Sequence, residues 1–308
     1  MPDTFRDPRL TERRNPRTQS IDVAAPREIV ALLNAEDALV PGAVAAETDR
    51  IAEIIELAEA AFRAGGRLLY VGAGTSGRLG VLDAAECPPT YGTPPGMVVG
   101  IIAGGAPALV RSVEGAEDDV NAGLQAITER DVGAKDLVIG IAASGTTPFV
   151  RAALSQAQTV GARTAIVTCS EPPPLLRETC DVCVFLRVGP EAVTGSTRMK
   201  AGTATKLTLN TITTGAMIRL GKVYGNLMVD LRAWNEKLVD RSERIVMETT
   251  GLGRAEARRV IDATGGRVKP AIVMARRAVD AATAERLLET HGGRLRDIVG
   301  DPPPMESA

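Results

Sequence analysis

Short apolar runs recur through the middle of the chain, at Arg67–Gly72, Met97–Ile102, Asp136–Ala142, Thr164–Cys169 and Val182–Val188. Each is bounded by turn residues, and stretches of helical spacing separate most of them. Runs that lack a polar face are buried on both sides, which is the condition of a parallel sheet covered by helices. The pattern therefore predicts an α/β protein with a largely parallel five-stranded sheet. Ahead of the sheet, a short helix is expected near Pro26–Asn34 and a longer one from Pro41 to Ala64. Pro41 suits a first helical turn, and Gly65-Gly66 suits the stop. After Ser196 the strand signals cease. Long helices are predicted at Arg198–Leu220 and Asn226–Thr250, then shorter ones at Arg254–Ala263, Lys269–Ala278 and Ala282–His291, which read as a small bundle.

At 308 residues the chain can bury one substantial core with helical attachments. A formal charge of −2 gives no pull toward nucleic acid or an anionic membrane, so small molecules and further copies of the chain are the expected partners. The polar N-terminus and the lack of a long apolar run point to the cytoplasm. Four cysteines in a chain of this size do not form a disulfide framework, and reduced thiols are expected. Cys180 and Cys183 make an isolated C-x-x-C with no second Cys/His pair, inside a segment that reads as strand, so the pair is read as structural. With His291 the only histidine, and placed in a helix-ending context, a Ser-His-Asp triad or a multi-histidine metal site is hard to build.

Ligands of open α/β sheets bind beyond the carboxyl ends of the strands. Three loops there are rich in Gly, Ser and Thr: Gly72–Gly77 (with Gly74, Thr75 and Ser76), Ala143–Pro148 (with Ser144, Gly145 and Thr146) and Thr194–Arg198 (with Ser196 and Thr197). Each precedes a predicted helix. Glycine admits close approach, hydroxyls donate hydrogen bonds, and free helix N–H groups favour an anion, so together they make a phosphate cradle. Any one such hydroxyl could instead simply cap its helix. The first loop fits G-x-G-x-x-G, but the second strand ends Ile101-Ile102-Ala103-Gly104-Gly105 without the carboxylate that holds a ribose, and no Gly-Lys-Ser/Thr follows as a P-loop requires.

With histidine scarce, proton transfer falls to carboxylates. Glu86 lies among small and apolar residues at the end of the helix that begins at the first loop. Glu117 follows the second strand and a short helix. On composition alone, Glu117 reads as part of a solvated acidic run at a helix N-terminus, and Glu86 could instead be a helix-end carboxylate facing water. A continuous helix from Ser76 to Glu86 would separate them by ~15 Å, beyond the reach of one hexose phosphate, so Glu86 is expected to act on a sugar whose phosphate other loops or a partner subunit hold.

Longer motifs carry a resemblance. Gly72-Ala-Gly-Thr-Ser-Gly-Arg-Leu-Gly80, Leu82-Asp-Ala-Ala-Glu-Cys-Pro-Pro-Thr-Tyr-Gly92, Val113-Glu-Gly-Ala-Glu-Asp118 and Gly189-Pro-Glu-Ala-Val-Thr-Gly-Ser-Thr-Arg-Met-Lys-Ala-Gly-Thr-Ala204 closely resemble the bacterial N-acetylmuramic acid 6-phosphate etherases, as do Thr11–Thr18, Gly225–Asp230 and His291-Gly-Gly. That family is related to the glucokinase regulatory proteins. The resemblance implies a sugar isomerase (SIS) type three-layer fold over residues 51–240, an N-terminal helical segment over 1–50 and a helical, UBA-like bundle over 241–308. It also implies a homodimer with a composite active site and no metal or redox cofactor. The implied reaction releases D-lactate from C3 of the sugar by elimination and hydration. Glu86 would be the acid at the departing lactate and Glu117 the base at C2. Gly74, Thr75, Ser76, Gly77, Ser144, Gly145, Thr146, Ser196 and Thr197 would surround the phosphate, with Arg198 or Lys200 adding positive charge. The rivals are a hexosamine-phosphate isomerase of the same fold and a non-catalytic sugar-phosphate sensor.

Overall fold

All five apolar runs become strands. The computed structural model describes residues 9–231 and 236–304. Among the described residues three α-helices precede the sheet: α1 (Pro26–Asp37), α2 (Val40–Ala45) and α3 (Thr48–Arg63). The alternating portion follows as β1 (Leu68–Gly72), α4 (Gly74–Tyr91), β2 (Val98–Ile102), α5 (Pro107–Val110), α6 (Val120–Thr128), β3 (Leu137–Ile141), α7 (Pro148–Thr159), β4 (Arg163–Thr168), α8 (Pro174–Thr179) and β5 (Val182–Phe185). The strands lie in the order β2-β1-β3-β4-β5, with every neighbouring pair parallel. From β1 the chain first steps outward to β2, then crosses back and runs the other way through β3, β4 and β5. The order therefore reverses between β1 and β3, where the loops leaving two adjacent strands diverge and open a crevice.

The chain divides into two compact units, one comprising residues up to Ala85 with Gly96–Thr213, the other Glu86–Pro95 with Thr214 onward. In the first, Leu69, Val71, Val138 and Ile166 of the sheet pack with Ile127 of α6 and Phe149, Val150 and Leu154 of α7. At the amino ends of the strands, two ion pairs tie neighbours together. Asp136 accepts from the Arg67 backbone N–H (2.8 Å), from its guanidinium (2.7 Å) and from the Gly133 N–H (3.1 Å). Asp181 accepts from Arg163 (2.6 Å) and from the Thr164 N–H (2.7 Å).

Beyond the sheet come α9 (Lys200–Arg219), β6 (Val223–Tyr224), β7 (Leu227–Met228), α10 (Glu236–Thr250), α11 (Arg254–Ala263), α12 (Val268–Arg277), α13 (Ala281–Thr290) and α14 (Leu295–Val299). The second unit has its own core, in which Tyr224, Val229, Ile245, Val246, Ile272 and Leu288 are buried together. Lys269, also buried, pairs with Asp230 at 2.9 Å. His291 caps α13, its Nδ1 lying 2.8 Å from the Leu287 carbonyl oxygen, in line with its helix-ending context.

Two expectations change. The single helix expected over Pro41–Ala64 is two, because Glu47 leaves helical geometry at φ −105°, ψ 18° and the Thr48 hydroxyl donates to the Ala45 carbonyl at 2.6 Å. Strand structure also returns after Ser196. β6 and β7 form a small antiparallel hairpin around Gly225-Asn226, and β7 falls where a helix was expected to begin, whereas Glu236–Thr250 is helical as expected. Residues 232–235 of that expected helix lie outside the described residues. The four cysteines are thiols outside any disulfide, with Cys183 in β5. Among the described residues no single helix is long and apolar enough to cross a membrane.

Candidate active site

The first two hydroxyl-rich loops leave β1 and β3, the strands that flank the reversal of order, and the third leads into α9. They converge. A cavity of about 400 Å³ is lined by Gly74, Thr75 and Ser76 from the first loop, Ser144, Thr146 and Thr147 from the second, and Gly195 and Thr197 from the third, with Ile141 and Ala142 at the end of β3. Glu117 lines it as well, from the turn Ala116–Asp118, and so does Asp118.

Local sequence explains the shape of the first loop. A methyl group on Gly77 would meet the Ile102 side chain at 2.6 Å and the Gly72 carbonyl oxygen at 2.8 Å, so only glycine lets α4 begin directly against the strand end. That brings the first backbone N–H groups of a long helix, with their partial positive charge, to the cavity. In the second loop Gly145 stands at φ +72°, and the Ser144 hydroxyl receives the Thr146 N–H at 3.2 Å and lies 2.9 Å from the Thr146 hydroxyl. Thr147 sits at the N-cap of α7 but makes no side-chain capping bond, so its hydroxyl is not consumed by the helix it precedes. At α9 the capping is done by a residue outside the hydroxyl loop. The buried carboxylate of Glu191 accepts the N–H groups of Lys200 (3.1 Å) and Ala201 (2.9 Å), and burial raises its pKa against the lowering effect of those bonds.

Not every expected residue faces the cavity. Gly77 is buried in the packing just described, and Gly145 supports its loop without lining the cavity. Ser196 and Arg198 lie in the third loop but do not line the cavity, and Arg198 is exposed. Lys200 is 1% exposed, and its ammonium lies 2.6 Å from Glu36, which also takes the Arg17 guanidinium at 2.5 and 2.9 Å. The charge that was expected to reach a phosphate is thus neutralised inside the fold. Glu86 is exposed in the C-terminal half of α4, which is one continuous helix from Gly74 to Tyr91, and it does not line the cavity.

The N-terminal segment was not expected at the site. Arg9, Thr11 and Glu12 line the cavity. The Thr11 carbonyl accepts the Gly195 N–H at 3.2 Å, the Asn15 amide donates to the Pro190 carbonyl at 3.2 Å, and the Thr18 hydroxyl donates to the Ala192 carbonyl at 2.8 Å. Thr11–Thr18 thereby fastens the third loop and the segment that leads into it. Its only sequence signal was the likeness to the family, because partners more than 170 residues away leave no local pattern.

The lining holds one guanidinium, Arg9, and three carboxylates, Glu12, Glu117 and Asp118. An anion here must therefore be met chiefly by hydroxyls and backbone N–H groups, while the carboxylates remain available for proton transfer.

Residues 50–158 match the glucokinase regulatory protein N-terminal SIS domain. The chain is 53% identical over 272 residues to the N-acetylmuramic acid 6-phosphate etherase of Serratia proteamaculans, covering 88% of this chain and 91% of that one. It is 51% identical to the protein of the same name from Yersinia pestis, over 88% and 92%. The solved phosphoheptose isomerase GmhA from Neisseria gonorrhoeae aligns at a TM-score of 0.46 and 16% identity, over 61% of this chain and 96% of that one. By its identity to these relatives along most of its length, the chain belongs to the N-acetylmuramic acid 6-phosphate etherase family.

Proposed function

We propose that the protein cleaves the C3 lactyl ether of N-acetylmuramic acid 6-phosphate, giving N-acetylglucosamine 6-phosphate and D-lactate. The observation that carries this reading is the convergence of three hydroxyl-rich loops and Glu117 on one cavity at the strand-order reversal. Thr75, Ser76, Ser144, Thr146 and Thr197 hold the phosphate, helped by the N-terminus of α4. Ser196, Gly77 and Gly145 shape those loops.

In the ring-opened sugar, the C1 aldehyde acidifies the proton at C2. Glu117 removes it, the electron pair forms the C2–C3 double bond, and the C3–oxygen bond breaks. The departing lactate oxygen takes a proton from a second acid, then water adds to C3 while a proton returns to C2. The sum consumes one water and no cofactor. For the second acid the reading assigns Glu86 of another copy of the chain. Its position along α4, ~15 Å from Ser76, fits a site completed by a homodimer better than one completed within a single helix.

Incubation with N-acetylmuramic acid 6-phosphate in water enriched in heavy oxygen tests the reading. D-lactate is released, and the label resides on the C3 hydroxyl of the sugar. Conversion of hexosamine phosphates without lactate release would instead identify an isomerase, and label in the lactate would rule out the elimination.

A further inference from the structure

Beside Glu117 lies a second chamber of about 370 Å³, which shares Ala73, Gly74 and Glu117 with the main cavity. Its walls are partly apolar, at Ala103, Ala108 and Val113, and its one basic lining residue is Arg78 from the second turn of α4. The Arg78 Nε donates to the Leu109 carbonyl at 3.1 Å. That single bond fixes the plane of the guanidinium while leaving its terminal amino groups for another acceptor. Among the described residues no carboxylate pairs with it. Two carboxylates nevertheless line the chamber, Glu114 and Glu117, so an anion entering there would be repelled unless a cation faced it.

What fits such a chamber is a small group with an apolar part and a carboxylate. The lactyl substituent has both, a methyl and a carboxylate on one carbon. It hangs from C3, the atom next to the one Glu117 deprotonates, so with C2 at Glu117 the substituent is within reach of the chamber that Glu117 also lines. We infer that Arg78 binds the lactyl carboxylate and is the residue that distinguishes an N-acetylmuramic acid 6-phosphate from a sugar phosphate with a bare C3 hydroxyl. This rests on the etherase reading above. The planar fork of arginine suits a carboxylate acceptor, and the contact exists before, during and after cleavage. Its loss is therefore felt in KM far more than in kcat.

The test compares the natural substrate with its carboxamide analogue, which keeps the size of the lactyl group and removes its charge. The wild-type protein prefers the acid by about 10- to 100-fold in kcat/KM, and Arg78→Gln reduces that preference to within about two-fold. Inhibition by N-acetylglucosamine 6-phosphate, which lacks the lactyl group, stays the same in the variant. Equal treatment of acid and amide by the wild type overturns the inference, as does a parallel loss of affinity for substrate and for N-acetylglucosamine 6-phosphate. Should Arg78→Gln fail to fold, Arg78→Met, which keeps the length of the side chain and removes its charge, takes its place with the same two outcomes. Should the wild type release no lactate, the etherase reading fails separately, and equilibrium binding of the acid and the amide still answers for Arg78.

Discussion

The two ends of the sheet are built from the same strands and treat charge in opposite ways. At the amino ends, Arg67 with Asp136 and Arg163 with Asp181 form closed pairs, and each carboxylate also receives backbone N–H groups. At the carboxyl ends, hydroxyls and the carboxylates of Glu117 and Asp118 surround about 400 Å³ of open space. Saturated polar groups contribute to stability, whereas groups facing a cavity keep their hydrogen-bonding capacity for a ligand. Changes at one end should therefore register in catalysis and changes at the other in folding.

The largest effect is expected from Glu117→Gln, which removes the base and little else, since the side chain is exposed. kcat should fall by about 10²- to 10⁴-fold, with unfolding stability within about 0.5 kcal/mol of wild type. A variant that turns over at more than a tenth of the wild-type rate would remove Glu117 from the proton-transfer step. At the other end, Asp136→Ala leaves the Arg67 guanidinium and two partly buried N–H groups without their acceptor. The cost should be about 2–3 kcal/mol in urea unfolding, below the figure for a fully buried pair because Arg67 reaches solvent. Below its unfolding transition the variant should keep kcat/KM within two-fold. If activity fell as much as stability, the separation between the two ends would be wrong.

The same contrast explains what the sequence reveals. Strands β1 to β5 are legible to within a few residues, because burial on both faces imposes an apolar run that local reading detects. The hydroxyl loops are legible because glycine is forced wherever a helix starts hard against a strand, as at Gly77. The hairpin β6–β7 carried a signal in Gly225-Asn226, a dipeptide suited to a two-residue turn, but strands this short show no alternation. The role of Lys200 could not be read. A lysine at the start of a helix that follows a phosphate-site loop looks the same in sequence whether it points outward or pairs with Glu36, and that choice is settled by packing between residues 164 positions apart.

That buried pair gives the finest test, because it places a saturated charge cluster at the functional end. Arg17 and Lys200 both bond Glu36, with the Arg17 hydrogen bond as the main cause, and together they lower its pKa from the ordinary 4.5 to about 2 despite the opposing effect of burial. A carboxylate whose pKa is depressed on folding adds stability that is complete above the unfolded value and disappears as pH falls through the folded one. The stability difference between wild type and Glu36→Gln should therefore be constant from pH 7 to about 5 and shrink steadily from 4.5 toward 2. Because Lys200 immediately precedes Ala201, whose N–H is capped by Glu191, and because Thr11–Thr18 holds the third loop, activity measured on the folded fraction should fall along with that difference. A difference that stayed flat down to pH 2 would mean that Glu36 carries no more charge-dependent stability than a surface residue, and the cluster would then be a packing feature with no hold on the loop it supports.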